Sequence, residues 1–114
     1  MLNKNFIVKK TDSIISAIEK IELNFHRTVF VVENKKLIGC VSEGDIMRAL
    51  INKKKIESSL ESIMNKSFLF LEKENIKDSK KIFLSTLSAV IPIVNKNMEI
   101  QSVLTLENFL KNHI

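Results

Sequence analysis

Tryptophan and tyrosine are absent from this 114-residue sequence, cysteine and proline occur once each, and glycine occurs twice. The single cysteine, Cys40, has no internal disulfide partner, so nothing points to an oxidising compartment. Gly39 and Gly44 are too few for a glycine-rich phosphate loop or a dinucleotide fingerprint. No apolar run approaches the roughly 20 residues that cross a bilayer. Met1 to Lys10 lacks the continuous apolar stretch of a signal peptide. The simplest compartment is therefore the cytoplasm, with no membrane partner. His26 and His113 stand alone, without further cysteines or paired carboxylates, and no metal site is expected. No nucleophile, base and orienting group come together, so no catalytic residue is assigned.

Hydrophobic residues make up 45% of the chain and charged residues 27%, which suits one compact domain with a real core. The net charge of +5 raises the question of nucleic acid. Its distribution argues against that partner. The lysines are scattered in short groups such as Lys9-Lys10, Lys35-Lys36 and Lys53-Lys54-Lys55. The arginines that usually read base edges number two, Arg27 and Arg48. Without Tyr or Trp, a base-stacking platform would need exposed Phe.

What is present is one pattern written twice. In the first half, Phe6 to Val8 reads as a short strand. Ile14, Ile18, Ile21 and Phe25 then fall on one face of a helix over Ser13 to Asn24, with Thr11 or Asp12 as N-cap. Thr28 to Val32 and Leu37 to Ser42 read as β-branched strands around the polar turn Glu33 to Lys36. A second helix follows over Glu43 to Ile51, with Ile46, Ala49 and Leu50 on its apolar face. The second half repeats the order. Phe68 to Leu71 is the short strand, and Ile76, Phe83 and Leu87 face inward from a helix. Val90 to Val94 and Ile100 to Leu104 are strands, and Leu106, Phe109 and Leu110 line the last helix. In register, Phe30 pairs with Pro92, Ile14 with Ile76, Ala17 with Ser79 and Ser42 with Thr105, the second turn being one residue longer. The expected fold class is α/β (α+β): two β-α-β-β-α repeats, residues 1–55 and 56–114, packed sheet to sheet with pseudo-two-fold symmetry. The segment Asn52 to Glu61 reads as their linker. Stacking two such units leaves clefts between them, and clefts are natural ligand sites.

Phe30-Val31-Val32-Glu33, Pro92-Ile93-Val94-Asn95 and the run Gly39-Cys40-Val41-Ser42-Glu43-Gly44-Asp45 carry a resemblance to the cystathionine β-synthase (CBS) domain family, over nearly the whole chain. Ile63-Met64-Asn65 is similar to the stretch that opens a second CBS repeat. Gly44-Asp45-Ile46-Met47-Arg48-Ala49-Leu50 further resembles a segment of CBS pairs attached to sugar-nucleotide enzymes. Two groups carry that segment: nucleotidyltransferases with the pair at the amino terminus and sugar-phosphate isomerases with it at the carboxy terminus. The onset of the first repeat close to Met1 favours the nucleotidyltransferase arrangement.

The resemblance implies a regulatory module (a Bateman module) rather than an enzyme, with AMP, ADP or ATP as ligand and no cofactor required. It implies that Ser42 and Asp45 hold ribose and phosphate. Adenine would then lie against Val29 and Phe30, or Ile91 and Pro92, with Ile7 nearby. The chemistry is sound, because a carboxylate accepts strong hydrogen bonds from a ribose diol and a hydroxyl at a helix start suits phosphate. Ser42 and Asp45 also read as a capping box that needs no ligand. The second repeat offers Thr105 and Asn108 at the matching positions; the neutral amide loses the charge-assisted bonds, so at most one competent site is expected. CBS pairs dimerise through their helices, which makes the apolar faces of Ile46–Leu50 and Leu106–Leu110 a predicted homodimer interface. A purely structural dimerisation module is the alternative. Cys40, among Ile38, Gly39 and Val41, is expected as a core thiol.

Overall fold

A computed structural model describes residues 2–86 and 88–113. The inward position expected of Leu87 and the chain ends at Met1 and Ile114 fall outside them. In the first half, β1 (Ile7–Val8) is followed by α1 (Ile14–Asn24), β2 (Thr28–Glu33), β3 (Lys36–Ser42) and α2 (Glu43–Ile51). In the second half, α3 (Ile76–Thr86), β4 (Val90–Val94), β5 (Ile100–Thr105) and α4 (Leu106–His113) follow. The strand β1 runs parallel to β2, and β2 pairs antiparallel with β3; β4 and β5 form a second antiparallel pair.

The repeat extends to backbone detail. Thr28 faces Ser42 across one hairpin and Val90 faces Thr105 across the other. Both hairpins slip register at the matching step, Val31/Val32 and Ile93/Val94. The Glu43 amide donates to the Arg27 carbonyl at 3.0 Å, and the Leu106 amide to the Ala89 carbonyl at 2.8 Å. Each final helix is therefore tethered to the start of the first hairpin strand of its own repeat.

Several expectations are corrected. Phe68 to Leu71 does not form a strand; a single parallel bridge joins Leu71 to Ile93. The Leu71 amide donates to the Pro92 carbonyl and the Val94 amide to the Leu71 carbonyl, at 3.0 and 2.9 Å. The next rung of that ladder needs an amide at position 92, and proline has none. Phe30, at the equivalent place, pairs with Ile7. The N-cap of α1 is Ser13, whose hydroxyl accepts from the Ser16 amide; Asp12 instead accepts from the Lys9 amide. Ile76, Leu50 and Leu110 face outward, as does Phe25, which caps α1 in the left-handed region.

Among the described residues, three apolar clusters hold the molecule. One fills the space between the first sheet and its helices, with Val8, Ile14, Ile21, Val31, Val41 and Ile46. A second does the same for the other half, around Phe83, Ile91, Leu104 and Phe109. The third lies between the sheets and joins Phe6, Phe30 and Leu37 to Val90 and Val94. The sheet-to-sheet packing expected from the repeat is this third cluster. A backbone bond from the Leu37 amide to the Met98 carbonyl, 2.8 Å, bridges the halves at one end.

The segment read as a linker is part of the first core. Leu60 has no exposed surface and packs with Ile14 and Val8. Its amide donates to the Asp12 carbonyl at 2.8 Å, and the Ile14 amide donates to the Ser58 carbonyl at 2.9 Å. Leu60→Ala is therefore expected to destabilise the protein by about 3 kcal/mol, the range for a buried leucine that leaves a cavity. Urea denaturation measures it; a loss below about 1 kcal/mol would show that this segment is a loose connector.

Candidate functional site

A cleft of about 710 Å³ opens between the halves. Its first wall is built where β3 turns into α2 and brings Ser42, Glu43, Gly44, Asp45 and Arg48. The facing wall comes from the second half, with Ile82 and Thr86 of α3 and Ser88 to Pro92 leading into β4. Phe30 and Cys40 form part of the floor, and Phe25, His26 and Arg27 stand at the end of α1.

The start of α2 is held by the capping box expected from the sequence. The Ser42 amide donates to Asp45 Oδ2 at 2.9 Å, and the Asp45 amide donates to Ser42 Oγ at 3.2 Å. The Ser42 hydroxyl itself donates to Asp45 Oδ2 at 3.1 Å. The other carboxylate oxygen, Oδ1, accepts from Arg48 Nη2 at 2.8 Å. Asp45 is largely covered, its side chain 15% exposed, whereas Arg48 is 69% exposed. A Cβ on Gly44 would come within 3.3 Å of Arg48 Nη1, so glycine leaves room for the guanidinium to fold back over the first turn. Both arginines of the chain line this one cleft, with His26 beside them and Glu43 and Asp45 opposing. Such a site offers a carboxylate for hydroxyls and guanidinium groups for an anion, beside the apolar surface of Ile91 and Pro92.

The turn from α1 into β2 is strained. Phe25 and Arg27 adopt left-handed φ values of 61° and 62° on either side of His26. Each such non-glycine residue costs roughly 1 kcal/mol. Asn24 offsets that cost, donating to the Asn5 and Thr28 carbonyls at 2.9 and 3.0 Å and accepting from the His26 amide at 2.7 Å.

The structure brings together Ser42, Asp45, Phe30, Ile91 and Pro92 among the residues proposed from the sequence. Four others are placed elsewhere. Val29 is wholly buried in the first core because its side chain alternates to the helix side of β2. Ile7 packs against the cluster between the sheets. Thr105 and Asn108, expected at the matching site of the second repeat, lie at the start of α4, where the Asn108 amide donates to Thr105 Oγ1 at 3.1 Å. Cys40 packs against the cluster between the sheets, as a core thiol would, and also lines the cleft floor. Missed from the sequence were Arg48, Thr86, Ser88 and Phe68. Only Arg48, one turn beyond Asp45, carried a local signal.

Residues 1–52 match the CBS domain family model. The fold of the chain is that of solved CBS-domain structures. A CBS domain protein from Pyrobaculum aerophilum complexed with AMP superposes with a TM-score of 0.76 at 20% identity, over 90% of this chain and 80% of that one. CBSX2 in complex with AMP gives 0.76 at 23%, over 93% and 84%. A CBS domain pair/ACT domain protein from Thermotoga maritima gives 0.79 at 18%, over 97% and 90%. No curated protein matches the sequence. Among the described residues, no helix is long and apolar enough to cross a membrane, and no group of three or more His, Cys, Asp and Glu could hold a metal ion.

Burial raises the Cys40 thiol to about 11, and the negative charge of Asp45 adds to the effect. The thiolate is the reactive form, so alkylation of native protein by iodoacetamide is expected to stay slow at pH 8 and to rise as the pH nears 11. Rapid labelling at pH 8 would show that the cleft floor is open and polar.

Proposed function

We propose that the chain is a regulatory module that binds an adenine nucleotide, AMP, ADP or ATP, in this cleft. The observation that carries the reading is the joining of Ser42 and Asp45 from one half to Ile91 and Pro92 from the other across a single cleft. The AMP complexes of the Pyrobaculum protein and CBSX2, which share the fold, support the ligand class. The cleft volume lies within the range of small-molecule sites. In this mechanism the base lies against Ile91 and Pro92, and the ribose diol takes Asp45 Oδ1. Arg48 then leaves the carboxylate and, with Arg27, meets the phosphate. The exchange trades one charge-assisted pair for two, so a phosphorylated ligand is favoured over a bare nucleoside.

The module is further proposed to be cytoplasmic and to tune a fused or associated sugar-nucleotide nucleotidyltransferase, on the likeness of Gly44 to Leu50 to that class of CBS pair. It is proposed to act as a homodimer. Met47, Leu50 and Ile51 on α2 and Leu110 on α4 are exposed apolar residues on the helical faces, a patch that pairing of two copies would cover. A structural module without a ligand is the second reading. It is favoured by the engagement of both Asp45 carboxylate oxygens within the protein.

Two outcomes test these readings. Nucleotide at about 100 times Kd is expected to stabilise the protein by about 2.7 kcal/mol, read as a rise in melting temperature of several degrees. Asp45→Ala should remove that rise. An unchanged wild-type melting temperature with all three nucleotides favours the structural module. Sedimentation equilibrium should show a dimer that Met47→Asp weakens at least ten-fold; a wild-type monomer at high concentration removes the interface.

A further inference from the structure

The repeat relates the cleft to a second, symmetry-equivalent groove position, and the residues there differ. Ile82 and Thr86 of α3 line the cleft; their counterparts in α1 are Lys20 and Asn24. Ser42, Asp45 and Arg48 correspond to Thr105, Asn108 and Lys111. The second groove therefore lies between α1 with the segment leading into β1 and the start of α4.

Where Ile82 presents an apolar wall, Lys20 places an ammonium. It donates to the Ile7 carbonyl at 2.6 Å and to the Lys4 carbonyl at 3.3 Å. One turn on, Thr86 is exposed and turns its hydroxyl back to the Ile82 carbonyl, whereas Asn24 is buried and ties the Asn5 and Thr28 carbonyls together. Four backbone carbonyls, those of Lys4, Asn5, Ile7 and Thr28, are thus taken by two side chains of α1. The opposite wall has no carboxylate at position 108. Lys111 pairs instead with Glu107 at 3.0 Å.

We propose that Lys20 and Asn24 are built-in occupants of the second groove, so that each chain takes a single nucleotide, on the Asp45 side; this rests on the reading of the cleft as a nucleotide site. The physical reason is competition for acceptors. A base entering the second groove needs carbonyls for its amino group, and these already receive an ammionium and an amide from a helix that costs no association entropy to bring close. Expelling Lys20 gives up a charge-assisted bond, and expelling Asn24 strands a buried amide and releases the strained Phe25–Arg27 turn.

Isothermal titration with AMP and with ATP tests the stoichiometry. Wild type is expected to bind one nucleotide per chain and Asp45→Ala none. The triple variant Lys20→Ile, Asn24→Thr, Asn108→Asp, which carries the residues of the open cleft, is expected to bind two. Two per chain in wild type overturns the inference, as does a folded triple variant that still binds one. A second measurement needs no ligand. In nucleotide-free protein the Lys20 ammonium should give a slowly exchanging NMR signal with a through-hydrogen-bond coupling to the Ile7 carbonyl carbon. A rapidly exchanging ammonium like that of an exposed lysine overturns the closure. Absence of any wild-type binding overturns the nucleotide reading instead, and the ammonium signal then decides the closure alone.

Discussion

The packing of one small sheet against another is the contact on which the rest of this molecule depends. Each half covers one face of its sheet with two helices and leaves the other face apolar and bare. Among the described residues, the second half has two strands joined to one bridge, which is too little sheet to persist in water by itself. Phe6, Phe30 and Leu37 meeting Val90 and Val94 close both bare faces at once. The same contact brings the start of α2 opposite the start of β4, so the cleft is a by-product of making the fold stable.

At the cleft, stability and recognition draw on the same atoms. Asp45 closes the cap of α2 through one oxygen and holds Arg48 through the other. A structural role and a ligand role are therefore two states of one carboxylate. The cap uses Oδ2, which a ligand need not disturb, while Oδ1 is bound to an exposed guanidinium. The second half shows the alternative outcome. With a neutral Asn108, the corresponding lysine turns to Glu107 instead.

Pro92 shows how one residue makes the halves unequal. At the position of Phe30 it removes the amide that would extend a parallel ladder, and the strand expected at Phe68 to Leu71 shrinks to a bridge. Phe68 and Leu69, released from the sheet, become cleft lining. A residue that resembles the family's strand motif thus also shapes the opening beside it.

Elements and their order were legible because they rest on local signals: α2 spans Glu43–Ile51 and β4 spans Val90–Val94, as helical spacing and a β-branched run indicate. So was the capping box, whose partners lie three residues apart. By contrast, Leu60 looks like a linker residue in sequence and is core in fact, since its neighbours Val8 and Ile14 lie far away along the chain. Val29 and Phe30 sit side by side in sequence, yet only Phe30 reaches the cleft, because alternate side chains of a strand face opposite ways and one-dimensional pattern does not say which face another sheet will cover. The sequence alone determined the repeat, the helix cap and the loss of charge at Asn108. Tertiary structure alone decided which residues meet across the halves and that Lys20 and Asn24 fill the second groove, since contacts between distant segments depend on how the two sheets settle against each other.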